Sequence, residues 1–163
     1  MATLALASPS CKNDGAIYKI KGLINMDIKT IAIQSPGDMG HGVGRLLVEG
    51  GYRVVSALEG RSERTRTLSQ EAGIEDVGDI DNLFNSVDVI LSIMRPDKAV
   101  EFIETLAKKA TKYPSRPIIV DLNAISPNTG KNAAQRASRV GLEFIDGGII
   151  GGPPKAPKNE SPR

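Results

Sequence analysis

The sequence predicts an α/β fold built on a doubly wound, mostly parallel sheet of about six strands. Three observations lead to this prediction. Short apolar stretches alternate with amphipathic helical stretches from residue 29 onward, the strands are apolar on both faces, and a glycine-rich turn follows the first strand. Strands that are apolar on both faces are typical of a parallel sheet that helices cover on each side.

The first three elements are a strand, a helix and a second strand. Residues 30–33 are rich in β-branched side chains, which favours a strand. After the turn, the following helix is indicated by apolar residues at helical spacing, namely Met39, Val43, Leu46 and Leu47. Two consecutive glycines then favour the end of this helix, and residues 52–58 form the second predicted strand.

The same alternation continues to the sixth strand. Ser62 is a suitable N-cap for the next helix, a small helix surrounds Leu83, and a long amphipathic helix follows the fourth strand. Ser126 and Pro127 are a typical N-cap and first residue for the last helix. The remaining strands are predicted at residues 74–77, 87–93, 118–120 and 142–145.

Composition excludes several classes of protein. The chain has 163 residues, which suits one compact domain, and its 40% hydrophobic and 25% charged residues are typical of a soluble globular protein. No apolar run approaches the roughly 18 residues of a membrane-spanning helix, so no membrane partner is predicted. The net charge of +2 and the absence of tryptophan argue against nucleic-acid binding. The single cysteine, Cys11, fits a reducing compartment.

The two ends of the chain show no sustained periodicity. Residues 1–27 are predicted to be a disordered extension and the protein to be cytoplasmic, although the Ala- and Ser-rich opening leaves an organelle-targeting segment as the alternative. The predicted domain covers residues 28–152. From Gly147 onward the sequence is rich in glycine and proline and is expected to be unstructured, ending in a Pro- and Lys-rich tail at residues 153–163.

A glycine-rich turn joins the first strand to the first helix, with the sequence Ser35-Pro36-Gly37-Asp38-Met39-Gly40. Because backbone N–H groups at a helix N-terminus favour a pyrophosphate, all six residues are predicted to bind a cofactor. Gly37 would let the backbone approach the phosphate, and Gly40 would let the helix pack closely on the strand. Ser35 replaces the first glycine of the usual motif, and Pro36 favours an extended Ser35. The alternative is that the glycines only make a tight turn.

Charged residues follow the second strand, in the sequence Glu59-Gly60-Arg61-Ser62-Glu63-Arg64. They lie about 20 residues beyond the glycines, where the adenosine ribose of a dinucleotide is recognised. Arg61 and Ser62, with Arg64 nearby, offer donors to a 2′-phosphate, so NADP is predicted and NAD is the less favoured cofactor. Glu59 is contrary evidence, because a carboxylate binds a free 2′-hydroxyl. A solvated charge cluster at a helix start is the alternative without a ligand.

Five motifs occur in order along the chain, namely SPGDMG, GRS, LSIMRP, DLNAISP and DGGIIGG. With them, residues 29–154 resemble the cofactor domain of β-hydroxyacid dehydrogenases, the phosphogluconate dehydrogenase-like and hydroxyisobutyrate dehydrogenase-like enzymes. The resemblance implies a Rossmann-type NADP-binding domain. It also implies cofactor contacts from Ile93, Met94 and Arg95 in the third motif and from Asn123 in the fourth.

Two of these motifs depart from the family pattern. Asn123 and Ala124 stand where the family has Ser and Thr, and Ile150 replaces its substrate-binding serine. Asn123 can still form hydrogen bonds, but Ala124 cannot. Substrate recognition is therefore expected to differ or to be lost. The alternative role for Asn123 is a hydrogen bond to its own loop backbone, and Ser126 is expected to be only a helix cap.

No catalytic residue and no metal site is predicted. The resemblance implies a proton-accepting lysine in a helical C-terminal domain, and the sequence given ends before such a domain. Lys155 and Lys158 lie in the Pro-rich tail and are not assigned this role. His41, the one histidine, follows the glycine turn, where phosphate and solvent are its expected neighbours.

These features predict the NADP(H)-binding domain of a β-hydroxyacid dehydrogenase-like oxidoreductase, catalytically incomplete as this chain. A non-catalytic NADP-binding sensor or partner-binding module is the alternative, and a methyltransferase that reads a nucleoside through Glu59 is a third. A small hydroxy acid is the expected substrate if a C-terminal domain completes the site. Ile149 and Ile150 are expected to form an exposed apolar patch, so a homo-oligomer is one expected state.

Overall fold

The computed structural model describes residues 3–6 and 28–154. The strands in this part of the chain are β1 (Thr3–Leu6), β2 (Thr30–Gln34), β3 (Arg53–Ser56), β4 (Glu75–Asp76), β5 (Val89–Ser92), β6 (Ile118–Asp121) and β7 (Phe144–Ile150). Its helices are α1 (Asp38–Glu49), α2 (Glu63–Glu71), α3 (Ile80–Ser86), α4 (Pro96–Lys112) and α5 (Pro127–Arg139).

The seven strands form one sheet in the order β1-β7-β6-β5-β2-β3-β4. Strands β2 to β7 pair in parallel with their neighbours, and β1 pairs antiparallel with β7. The predicted α/β, doubly wound, Rossmann-type fold is confirmed. The chain progresses outward from β2 to β4 and then returns to β5 on the other side of β2. A crevice therefore opens between β2 and β5 at the carboxyl ends of the strands, which is where ligands bind in such sheets.

Two apolar clusters cover the two faces of the sheet. On one face, Phe84 of α3, Leu106 of α4 and Ala137 of α5 are fully buried against inward-facing residues of the central strands. On the other face, α1 and the segment after α2 pack on the alternate strand residues, including Ile33 and Val89. This division explains why the strands are apolar on both sides.

The structure corrects the prediction at both margins of the domain. The last strand does not end at residue 145 but continues through Gly147 to Ile150, a segment that was expected to be unstructured. Thr3–Leu6 lies within the extension that was expected to be disordered, yet it forms β1, whose Leu4 pairs with Ile149. Each strand supplies the other with backbone hydrogen-bond partners that side-chain periodicity does not reveal. The rest of the extension and residues 155–163 lie outside the described residues.

After β7 the chain turns back over α1. Pro154 packs so closely on Gly42 that a Cβ at Gly42 would lie 2.9 Å from the Pro154 carbonyl oxygen. The guanidinium of Arg45, one turn along α1, donates a hydrogen bond of 3.1 Å to the same carbonyl. Within residues 28–154 and 3–6, every helix is too short or too polar to cross a membrane.

Candidate functional site: a cleft at the carboxyl edge of the sheet

A cleft of about 970 Å³ opens at the carboxyl edge of the sheet. Its walls are the turn after β2, the turn after β3, the loop after β5 and one face of α4. Most of the residues predicted to bind a cofactor line this cleft, namely Ser35, Gly37, Asp38, Met39, Gly40, Arg61, Ile93, Met94 and Arg95. The structure thus brings together three motifs that are far apart in the sequence.

The turn after β2 is sharper than the sequence indicated. Ser35 has a φ of 62°, the one non-glycine residue with positive φ in the described part of the chain. The expectation that Pro36 would hold Ser35 extended was therefore wrong. The Gly37 N–H donates to the Ser35 carbonyl at 2.7 Å, so the chain reverses within three residues. The first position of this motif needs a left-handed backbone, and Ser35 adopts it although it carries a Cβ.

The two glycines of the turn do different things. A Cβ at Gly40 would lie 2.8 Å from the Ser35 carbonyl oxygen and 3.2 Å from Ile33, so its predicted packing role is confirmed. A Cβ at Gly37 would meet only the Ser35 oxygen, at 4.0 Å, so the protein itself leaves room for a side chain there. Gly37 is the N-cap of α1 and gives the helix no side-chain cap. The first N–H groups of α1 have no capping side chain, as an anion site requires.

His41 does not line the cleft. Its Nδ1 donates to the Gly37 carbonyl oxygen at 2.9 Å, one helical turn back. This bond holds the ring against the first turn of α1.

Three arginines follow β3, one in the turn and two in the first part of α2, and their surroundings differ. Arg64 forms an ion pair with Asp38 across the gap between α2 and α1. Arg66 donates to the Leu58 carbonyl and lies 3.4 Å from Asp76. Arg61 lines the cleft, is half-buried, and has no side-chain partner among the described residues. Of the three, Arg61 is the guanidinium that a ligand in the cleft can reach without breaking an ion pair.

Three predicted cofactor contacts do not line the cleft: Pro36, Ser62 and Asn123. Ser62 is the N-cap of α2, and its Oγ accepts from the Thr65 N–H, which confirms its predicted capping role. Ser126 caps α5 through the Thr129 N–H in the same way, as expected.

Asn123 holds two loops together. Its Oδ1 accepts from the Met94 N–H at 2.7 Å, and its Nδ2 donates to Ser92 Oγ at 2.9 Å and to Asp121 Oδ1 at 2.7 Å. Both amide hydrogens are thus used within the protein, and the residue is 6% exposed. The side chain does not bond the backbone of its own loop, the alternative role that the sequence left open, and its cofactor contact stays a prediction. It anchors the loop after β5, which lines the cleft.

Four polar residues are aligned across neighbouring strands of the sheet, and one of them, Gln34, lines the cleft. In the parallel register Gln34 of β2 pairs with Ser92 of β5, Ser92 pairs with Asp121 of β6, and Asp121 pairs with Asp146 of β7. We call these four residues the polar row. Sequence analysis missed Gln34 and the row as a whole, because the alignment of residues from distant strands depends on their register. Gln34, Ser92 and Asp121 each end their own strand, and Asp146 lies within β7.

The two carboxyl groups of the row hold their protons more tightly than usual. Burial raises the pKa of Asp121, against the opposing effect of hydrogen bonds from Ser92 and Asn123. Burial also raises the pKa of Asp146, and the neighbouring charge of Asp121 adds to that effect. A Cβ at Gly130 of α5 would lie 2.5 Å from Asp146 Oδ2, so this glycine makes room for the carboxyl group.

One face of α4 forms a wall of the cleft, which the sequence did not predict. Phe102 and Thr105 line it together with Lys98 and Glu101, which form an ion pair at 2.9 Å. The hydrogen bond to Glu101 raises the pKa of Lys98, so this lysine stays protonated and is a poor general base. The amphipathic pattern of α4 identified its core face but gave no sign that its edge borders a cleft.

The fold and this cleft define a Rossmann-type nucleotide-binding domain. Residues 30–161 match the family model of the NAD binding domain of 6-phosphogluconate dehydrogenase. The chain belongs to this family, and a nicotinamide dinucleotide is the cofactor class that the family binds.

Three known proteins are similar to parts of this chain. A protein of Methanothermus fervidus described as an uncharacterized 28.5 kDa protein in the 7S RNA 5′ region is 31% identical over 98 residues, which are 60% of this chain and 36% of that protein. A Myxococcus stipitatus imine reductase variant in complex with NAD⁺ superimposes with a TM-score of 0.64 at 18% identity, over 78% of this chain and 43% of that chain. Mycobacterium tuberculosis 3-hydroxyisobutyrate dehydrogenase gives 0.62 at 17% identity, over 77% and 42%. At these identities the two structures show the fold, and the chain spans less than half of each of these proteins.

Proposed function

We propose that this domain binds NADP(H) in preference to NAD(H), as the cofactor-binding part of a β-hydroxyacid dehydrogenase-like oxidoreductase. The observation that carries the proposal is that Arg61, in the turn after β3, lines the cleft and has no side-chain partner among the described residues. A 2′-phosphate placed there would meet a half-buried guanidinium, where charge-assisted hydrogen bonds are stronger than in open solvent.

The turn after β2 offers a place for the pyrophosphate of the dinucleotide in the same cleft. The uncapped N-terminus of α1 faces the position of the pyrophosphate, and Gly37 leaves space for its close approach. Asp38 lies in the same first turn, and its ion pair with Arg64 reduces its repulsion of a phosphate. Glu59 also lines the cleft and would favour a free 2′-hydroxyl, so Arg61 and Glu59 are the two residues whose balance decides the cofactor.

The experiment is a titration of the full chain with NADPH and NADH, for the unmodified protein and for Arg61→Ala and Arg64→Ala. A charge-assisted hydrogen bond contributes about 1.5–3 kcal/mol, so the unmodified chain should prefer NADPH by roughly tenfold to a hundredfold. Arg61→Ala should lose most of that preference. Arg64→Ala is the matched control, because that arginine is engaged with Asp38 and should leave the preference in place. Equal affinity of the unmodified chain for both cofactors would overturn the proposal.

We further propose that oxidation of a small hydroxy acid requires groups outside this cleft. The bound nicotinamide would supply the hydride acceptor. The residues of the chain would bind and orient it, but Lys98, the one lysine among the residues that line the cleft, is held protonated and is a poor acceptor for the hydroxyl proton. Proton transfer to a positioned base is typically worth about 10²–10⁴ in rate.

The hydrogen bonds of Asn123 within the protein also favour the second candidate function, a non-catalytic NADP-binding module. The 163-residue chain should bind cofactor yet show no sustained reduction of NADP with 3-hydroxy acids, followed by the absorbance of the reduced nicotinamide. Sustained turnover by the purified chain would overturn both the requirement for outside groups and the binding-module alternative.

A further inference from the structure

The two carboxyl groups of the polar row are neighbours on the strand pair β6 and β7. Asp121 and Asp146 are partners in the parallel register, so they lie on the same face of the sheet, on strands about 4.8 Å apart. That face is covered by α5, because Ile119, two residues before Asp121, packs in the same buried cluster as Ala137. A Cβ at Gly130 of α5 would lie 2.5 Å from Asp146 Oδ2. Both acids therefore lie between the sheet and α5.

Asp121 lacks a hydrogen-bond donor for one of its two oxygens. The residue is 0% exposed, and its Oδ1 accepts from Asn123 Nδ2 at 2.7 Å, but its Oδ2 has no hydrogen-bond partner among the described residues. A buried acceptor without a donor is unfavourable, and a buried carboxylate without a cation is more so. A proton on one of two adjacent carboxyl groups supplies a donor and removes one of two like charges.

Within the described part of the chain, no cation compensates this pair. The neighbours that affect the pKa of either acid are Ser92, Asn123 and, for Asp146, the charge of Asp121. The loop at residues 122–126 is uncharged. The charged residues of α5 and those near the start of α4 are all exposed, namely Lys131, Arg136, Arg139, Asp97, Lys98 and Glu101. A proton is therefore the compensation that the surroundings leave to the two acids.

We propose that Asp121 and Asp146 share one proton, and that this proton fixes the loop after β5 where it borders the cleft. Asn123 is the link, because it donates to Asp121 and accepts from the Met94 N–H at 2.7 Å. When the proton leaves to solvent through the partly exposed Asp146, two like charges remain on neighbouring strands and displace the carboxylate that holds Asn123. The pair is thus a pH-sensitive switch for the position of Met94, which lines the cleft.

The test follows the carboxyl carbons of the aspartates by nuclear magnetic resonance, in the full chain between about pH 4 and pH 9. Two groups that share a proton titrate as a pair, in two steps to which both signals respond. The pKa of each acid is raised by burial, so the upper step should lie above the ordinary aspartate range. The amide signal of Met94 should shift with the upper step.

Asp146→Asn removes one of the two charges and keeps the shape of the side chain. In this variant Asp121 should titrate in a single step, about one pH unit or more below the upper step of the unmodified chain. Asp121→Asn should lower the pKa of Asp146 in the same way. Asp97→Asn is the matched control, because Asp97 is exposed in the first turn of α4 and pairs with Arg95. It should leave both steps in place.

Two results would overturn the proposal. An unchanged titration of Asp121 in folded Asp146→Asn would show two independent buried acids instead of a shared proton. A Met94 amide signal that does not move with the upper step would show that the pair does not reach the cleft. Far-ultraviolet circular dichroism checks folding, and Asp146→Asn, at the more exposed position, decides alone if Asp121→Asn is unfolded. Neither readout needs a cofactor, so failure here leaves the NADP(H) proposal standing.

Discussion

The two halves of the carboxyl edge are built from similar residue types but use them differently. In the half formed by β2 and β3, the first N–H groups of α1 and the guanidinium of Arg61 have no internal side-chain partner among the described residues and face the cleft. In the half formed by β5, β6 and β7, Asn123 draws the neighbouring polar groups into hydrogen bonds within the protein. The first half is therefore free to bind, and the second half stabilises the loop that borders the cleft. Similar polar residues at the end of a strand do not by themselves identify a ligand contact.

The largest effect on cofactor affinity is expected from a substitution at Gly37, in the half formed by β2 and β3. Gly37→Val should weaken cofactor binding by about a hundredfold or more, because a branched side chain would occupy the space that the pyrophosphate needs. The free energy of unfolding should change by no more than about 1 kcal/mol, since the backbone at Gly37 is extended and a Cβ meets nothing closer than 4.0 Å. Cofactor titration and urea unfolding measure the two quantities.

Gly40→Ala is the control for that experiment. Its Cβ would lie 2.8 Å from the Ser35 carbonyl, so this variant should lose stability as well as binding. A Gly37→Val protein that folds and binds normally would show that these glycines serve only as a turn.

Asn123→Ala should instead affect the half formed by β5, β6 and β7, where this side chain is hydrogen-bonded within the protein. The change removes the acceptor of the Met94 N–H and both donors to Ser92 and Asp121, all at a nearly buried position. Unpaired buried groups of this kind cost about 1–3 kcal/mol each, so a loss of about 2–4 kcal/mol in the free energy of unfolding is expected. Asn132→Ala, at an exposed position of α5, is the control and should change little. If Asn123→Ala lowered only cofactor affinity and not stability, the division between the halves would be wrong.

The pH dependence of the free energy of unfolding gives a further test of the half that contains Asp121 and Asp146. Because the pKa of Asp121 is raised in the folded protein, the folded state binds its proton more tightly than the unfolded state. The free energy of unfolding should therefore fall as the pH rises from the ordinary aspartate pKa to the raised value. Asp121→Asn keeps an acceptor for Asn123 and should make this part of the curve flatter. Urea unfolding between about pH 4 and pH 7.5 tests this, and Asp146→Asn should have a similar but smaller effect.

The smallest effect is expected at Ser35. Relief of a left-handed backbone is worth about 1–2 kcal/mol, but glycine also gains freedom in the unfolded chain, so Ser35→Gly should raise stability by at most about 1 kcal/mol. Thermal unfolding with and without cofactor measures the change. A clear loss of stability would mean that the Ser35 side chain makes a stabilising contact that outweighs the strain.

Sequence periodicity predicted the order and type of the elements because the core strands and helices carry clear apolar patterns. It failed where structure depends on pairing between distant segments. The four residues of β1 are too few to show a period, and the continuation of β7 to Ile150 depends on backbone pairing with β1. The sequence placed Arg61 and Arg64 near the adenosine site, but only the fold shows that Arg64 is held in an ion pair and that Arg61 is not. The polar row depends on the register of four strands, which no local pattern encodes.

The contact between Pro154 and α1 ties the segment after β7 to the helix whose N-terminus faces the cleft. The chain crosses the helix at Gly42, within one turn of the N-terminus that faces the cleft, and Arg45 fastens it there. A shift of α1 toward or away from a bound anion would therefore carry the departing backbone with it. The path of the polypeptide after β7 is thus fixed by contacts with the same helix whose N-terminus faces the cleft.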